Sequence, residues 1–96
     1  MSAETIAIAE EVRPRLPRGV RLRHDETRRE WTLLAPERVL KADRIAVEIL
    51  KRCTGEKTLR EIVDELTAAY GADRARVDTD VRALLAQLVA KRMVDL

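Results

Sequence analysis

A chain of 96 residues, 46% hydrophobic and 38% charged with a formal net charge of +2, has the balance of one soluble domain, and a charge that small does not by itself imply a nucleic-acid partner. Cys53 is the only cysteine, which excludes an internal disulfide and fits a reducing compartment. No apolar run approaches membrane-spanning length and Met1–Glu4 lacks the basic region of a secretory signal, so a cytoplasmic protein is expected by elimination.

In chain order, residues 1–15 are rich in Ala and Glu without a good apolar stripe, and are read as a mobile tail or linker ahead of a domain over residues 16–96. Pro14 and Pro17 punctuate its end. Residues 19–24 alternate, with Val20 and Leu22 inward and Arg21 and Arg23 toward water, as a strand requires. A polar hairpin loop follows at 25–29. A second strand is expected over 30–34, with Trp31 and Leu33 on one face. Pro36 breaks the run, because proline has no N–H to give to a ladder. A third short strand is expected over 38–41, at a sheet edge, with Leu40 and Ala42 on one face. Three short strands joined by short loops favour an antiparallel meander.

Asp43 is a candidate N-cap for a first helix over 44–53, whose stripe is Ile45, Ala46, Ile49, Leu50 and Cys53, with Gly55 as its C′ residue. Thr58-Leu-Arg-Glu61 is a capping box for a second helix. Its inner face is Leu59, Ile62, Val63, Leu66 and Tyr70, and Gly71 stops it. Asp73 caps a third and longest helix, with a stripe of Val77, Val81, Leu84, Leu85 and Leu88. Met93–Leu96 adds a short extended tail. The fold class is therefore α+β: a three-stranded antiparallel meander followed by three helices, a layout resembling a winged helix-turn-helix.

The residues for catalysis are missing. The single serine is Ser2, and His24 and Cys53 stand alone, the first beside a turn and the second on an apolar helix stripe. There is no Cys-x-x-Cys, His-x-x-x-His or glycine-rich phosphate loop, so no metal, cofactor or enzymatic activity is expected. Binding remains. Ten Lys/Arg face five Asp/Glu between Val12 and Arg44, whereas the chain from Ile45 to Leu96 has nine of each. The strand half is thus the basic half. The second and third helices mix acids among their arginines where a DNA-reading helix would meet phosphates, which disfavours a winged-helix DNA-binding regulator, the alternative reading. An exposed strand edge suits an acidic peptide, which adds to it as another strand. Self-association through the same edge is a third reading.

The runs Gly19-Val-Arg-Leu22 and Trp31-Thr-Leu-Leu-Ala-Pro-Glu-Arg-Val-Leu40 resemble the PqqD family of pyrroloquinoline quinone biosynthesis. So do Ile62-Val63, Leu66, Tyr70-Gly71, Val77, Asp80-Val81, Leu84-Leu85 and Leu88. The Leu-Leu-Ala-Pro-Glu segment is the most specific part, and the likeness covers 15–96. Thr54 departs from the pattern, where an Asp is expected before Gly55. The resemblance implies a small peptide-recognition element. Such a protein is a monomer without catalysis that holds the precursor peptide PqqA and presents it to the radical SAM enzyme PqqE. It implies peptide contacts at Arg38, Val39, Leu40 and Lys41 of the third strand, and at Val81, Leu84, Leu85 and Leu88 of the third helix. Each residue also has a plainer reading. Leu84 and Leu88 could be core, Arg38 and Lys41 could be charges that blunt an edge, and Trp31 is more often core than site.

Overall fold

The alternating residues from Arg21 to Ala42 form three antiparallel strands in the order β1-β2-β3: β1 Arg21–Asp25, β2 Glu30–Ala35 and β3 Arg38–Ala42. The structure is a computed structural model that describes residues 8–96; residues 1–7, the start of the expected tail, lie outside the described residues. The register sets Leu22 opposite Leu33 and Leu33 opposite Leu40. These leucines make one apolar row on the inner face, with Leu33 at its centre and only 1% exposed. On the outer face the rows are Arg21–Leu34–Val39 and Arg23–Thr32–Lys41.

Pro36 and Glu37 alone join β2 to β3, with Ala35 opposite Arg38. In a two-residue hairpin the closing pair is hydrogen-bonded, and bonded and non-bonded pairs alternate along the ladder. Leu33/Leu40 and Trp31/Ala42 are therefore bonded pairs. Val39 and Lys41 turn their N–H and C=O groups away from β2. Among the described residues no strand lies beyond β3, so those groups form the free edge expected beside Pro36.

Three helices follow: α1 Arg44–Lys51, α2 Leu59–Tyr70 and α3 Arg74–Ala90. Asp43 caps α1 by accepting the Ala46 N–H at 2.8 Å, and Asp73 caps α3 by accepting that of Arg76 at 3.1 Å. The capping box of α2 is formed, with the Glu61 N–H on Thr58 Oγ1 at 3.1 Å and the Thr58 N–H on Glu61 Oε1 at 2.7 Å. Gly71 ends α2 in the left-handed conformation, φ 58°. Leu59, Ile62 and Val63 of α2 sit at the centre of the core with Ile49, Leu85 and Met93. Arg52 links α1 to α2 by bonding Glu48 and Glu65, each at 3.0 Å.

Several expectations are corrected. The first helix stops at Lys51, not Cys53, because Arg52 caps it with its N–H on the Ile49 carbonyl. Gly55 is then a turn residue, φ +85°, whose N–H bonds the Pro14 carbonyl at 2.9 Å. Ile45 and Tyr70, assigned to inner stripes, are 62% and 53% exposed, since both lie in terminal turns. Trp31 is half-buried, outside the central core, with its ring 4.8 Å from the His24 ring and 5.1 Å from Lys51 Nζ.

The largest difference concerns residues 8–15, which were expected to be part of a mobile tail. Ile8 is 5% exposed, Pro14 is fully buried and Val12 packs on the core. The Leu59 and Arg60 N–H groups at the start of α2 have no partner within the helix. They donate instead to the carbonyls of Val12 at 2.8 Å and Glu10 at 3.1 Å. Arg15 and Asp95 exchange both backbone bonds at 2.9 Å, which ties this segment to the extended carboxyl end. The segment is a strap over the helical half. Its backbone serves as the cap that α2 needs.

Candidate functional site

The free edge of β3 opens onto a groove between β3, α1 and α3, with a volume of about 240 Å³. Its walls are Leu40 of β3, Ala46 and Leu50 of α1, and Leu84 and Leu88 of α3, over Leu33. Lys41, Gln87 and Lys91 form the rim. Lys91 thus sets a cation on the α3 side, while on the β3 side the Lys41 side chain leaves the edge toward the outer face of the sheet. Lys41 Nζ lies 3.5 Å from the Glu30 carboxylate but its side chain is 78% exposed. A surface pair of this kind contributes little, about 0–1 kcal/mol, and leaves Lys41 open to a competing carboxylate.

The residues singled out in the sequence fall into three groups. Leu40, Lys41, Leu84 and Leu88 meet at the groove. Arg38 and Val39 continue the same edge toward the hairpin and are exposed, Val39 by 65%. Val81 and Leu85 do not line the groove: they are 1% and 0% exposed. A helix turns by about 100° per residue, so the 84/88 row faces β3 while Leu85, one step round, points into the core. Val81 forms part of a neighbouring cleft between α1, α2 and α3. Ala46, Leu50, Gln87 and Lys91 were not singled out. Their signal was the spacing: 84, 87, 88 and 91 share one helix face.

Other chemistry is not assembled. Burial pushes the Cys53 thiol up to about 12, and its Sγ–H donates to the Ile49 carbonyl at 3.3 Å. His24 stands 3.4 Å from the exposed Glu26 carboxylate. Among the described residues no group of three or more His, Cys, Asp or Glu is placed to hold a metal, and no helix is long and apolar enough to cross a membrane. The arginines of α2 and α3 are matched to acids: Arg60 with Glu10 and Glu11, Arg74 with Asp64, Arg76 with Asp80 and Arg82 with Asp78.

Residues 30–94 match the family described as coenzyme PQQ synthesis protein D (PqqD). A protein of Rhodopseudomonas palustris strain BisB5 called "PqqA binding protein" is 50% identical over 91 residues, covering 95% of this chain and 89% of that one. In structure the chain is similar to the PqqD part of Methylobacterium extorquens PqqCD. That protein was solved in solution as a functional and stand-alone recognition element for ribosomally synthesized, post-translationally modified peptides. The TM-score is 0.81 at 42% identity, over 99% of this chain and 100% of that one. The crystal structure of PqqD from Xanthomonas campestris aligns with TM-score 0.60 and 41% identity, over 94% of this chain and 100% of that one.

Proposed function

This chain belongs to the PqqD family, and on that premise we propose that it is a non-catalytic chaperone that binds PqqA as an added β-strand on β3 and presents it to the radical SAM enzyme PqqE. The observation that carries the reading is the free β3 edge lying beside a lysine-rimmed apolar groove. The edge supplies backbone donors and acceptors, the groove takes alternate side chains, and the lysines attract an acidic peptide.

Magnitudes require both parts. Val39 and Lys41 offer two N–H and two C=O groups. Each main-chain bond nets roughly 0.5–1.5 kcal/mol, so the edge supplies about 2–6 kcal/mol before any ordering cost. Micromolar affinity corresponds to about 8 kcal/mol. The remainder comes from apolar burial against Leu40, Leu84 and Leu88, at about 25 cal/mol per Å².

Titration of labelled PqqA tests the reading against the DNA-binding one. Micromolar binding is expected, with an on-rate that falls as salt rises because Lys41 and Lys91 are exposed. Duplex DNA at low salt is expected to bind weakly and without sequence preference, since the helix arginines are already paired. Tight, sequence-dependent DNA binding with no response to PqqA would overturn the proposal. Presentation to PqqE is tested by adding the chain to that enzyme and PqqA: formation of the modified peptide is expected to accelerate.

A further inference from the structure

Among the described residues four large hydrophobic side chains are conspicuously exposed: Val39, Ile45, Tyr70 and Leu96. The first lies on the β3 edge. The next two line the cleft of about 420 Å³ between α1, α2 and α3, together with Leu66, Val77 and Val81. On α3 this cleft and the groove beside β3 follow one another. On α3, Val77, Asp80 and Val81 line the cleft, while Leu84, Leu88 and Lys91 line the groove one turn and more further on. Positions three and four apart share a helix face, so the two depressions lie end to end along one side of α3. On α1 the two depressions take different faces, with Arg44, Ile45, Glu48 and Ile49 lining the cleft and Ala46 and Leu50 lining the groove.

We infer that the cleft is a second subsite for the same precursor peptide. It takes an apolar or aromatic side chain from the segment flanking the added strand. The inference rests on the added-strand reading of β3. Whichever way the bound strand runs, one of its ends passes Ala42 and meets the first turn of α1, at the mouth of the cleft. The walls there are apolar, with Ile45 on one side and Tyr70 on the other. At the rim Arg76 lies 4.0 Å from Asp80 and Glu48 is bonded to Arg52 at 3.0 Å, while Arg44 forms no ion pair among the described residues. The cleft selects chiefly by burial against its apolar walls and gives the peptide an anchor on each side of the α1 start. It also accounts for large apolar side chains left in water on a small domain, where such patches mark contact surfaces.

The test pairs a double variant, Ile45→Ser with Tyr70→Ser, against full-length PqqA and against peptides shortened stepwise from each end. Both side chains are more than half exposed, so the fold is expected to persist, and circular dichroism checks this. The variant is expected to bind full-length PqqA about tenfold more weakly, about 1.4 kcal/mol, and to match the unmodified chain toward the shortest peptide that still binds. Val39→Pro is expected to weaken both. An affinity for full-length PqqA within twofold of the unmodified chain overturns the inference, including when the variant instead loses self-association or contact with PqqE. If the double variant is weakened while Val39→Pro is not, the cleft stands and the added-strand reading falls. Should the double variant unfold, NMR of the unmodified chain decides. Ile45 methyl and Tyr70 ring signals must shift with full-length PqqA and stay put with the shortest binder.

Discussion

Replacing Val39 with proline separates the edge from the rest of the fold. The Val39 N–H points away from β2, so proline removes no ladder bond, and its ring is tolerated at an edge position. The preceding residue, Arg38, is already in the extended conformation that a following proline demands. The side chain is 65% exposed, so little packing is lost. A bound strand, however, loses the Val39 donor, and the ring crowds the partner carbonyl of the same pair. Losing both bonds of that pair costs roughly 1–3 kcal/mol, or about 5- to 150-fold in affinity. Fluorescence anisotropy with labelled PqqA measures this, and circular dichroism verifies the fold. Leu40→Pro is the contrasting control, because its N–H bonds Leu33 and its loss breaks the sheet. A folded Val39→Pro chain that binds within twofold of the original refutes the assignment of the free edge.

Deleting residues 1–15 removes the strap, and thermal unfolding is expected at least about 10 °C lower. Burial of Ile8 alone is worth about 1.5–3 kcal/mol, and each kcal/mol shifts a domain of this size by about 4–8 °C; an unchanged midpoint would return the segment to the status of a free tail. Cys53, with its thiol pushed up to about 12 by burial, is expected to resist alkylation at pH 8 until denaturant is added. Alkylation of the native chain at the rate of a free thiol contradicts that. Glu65 is held below its ordinary range first by the Lys57 ammonium and then by Arg52. It binds its proton less readily folded than unfolded, so its stabilisation is present above pH 4.5 and is lost as the pH falls through the lowered value. Glu65→Gln is expected to flatten the acid limb of the stability curve, and an identical limb rules out that contribution.

Local chemistry made much of the fold legible. Asp43, Thr58 with Glu61, Gly71 and Asp73 each place a helix end by satisfying or releasing backbone groups, and all four act as expected. The alternation of Arg21 to Arg23 and the break at Pro36 likewise set the meander and its edge. The strap was not legible, because its buried residues Ile8, Val12 and Pro14 follow no period: an extended segment is held by whichever side chains meet the core. Ile45 and Tyr70 misled for the opposite reason. A period gives a face but not where the neighbouring helix ends. The division of α3 into groove residues Leu84 and Leu88 and core residues Val81 and Leu85 depends on where β3 and α1 lie against a continuous stripe, which only the tertiary structure supplies.

Backbone hydrogen exchange at β3 tests the central claim most directly. In the free chain the Leu40 N–H is bonded to β2 and exchanges slowly, while the N–H groups of Val39 and Lys41 face solvent and exchange fast. On saturation with PqqA, Val39 and Lys41 are predicted to become protected and Leu40 to change little. If both edge amides keep their fast exchange while PqqA is bound, the peptide is not an added strand on β3.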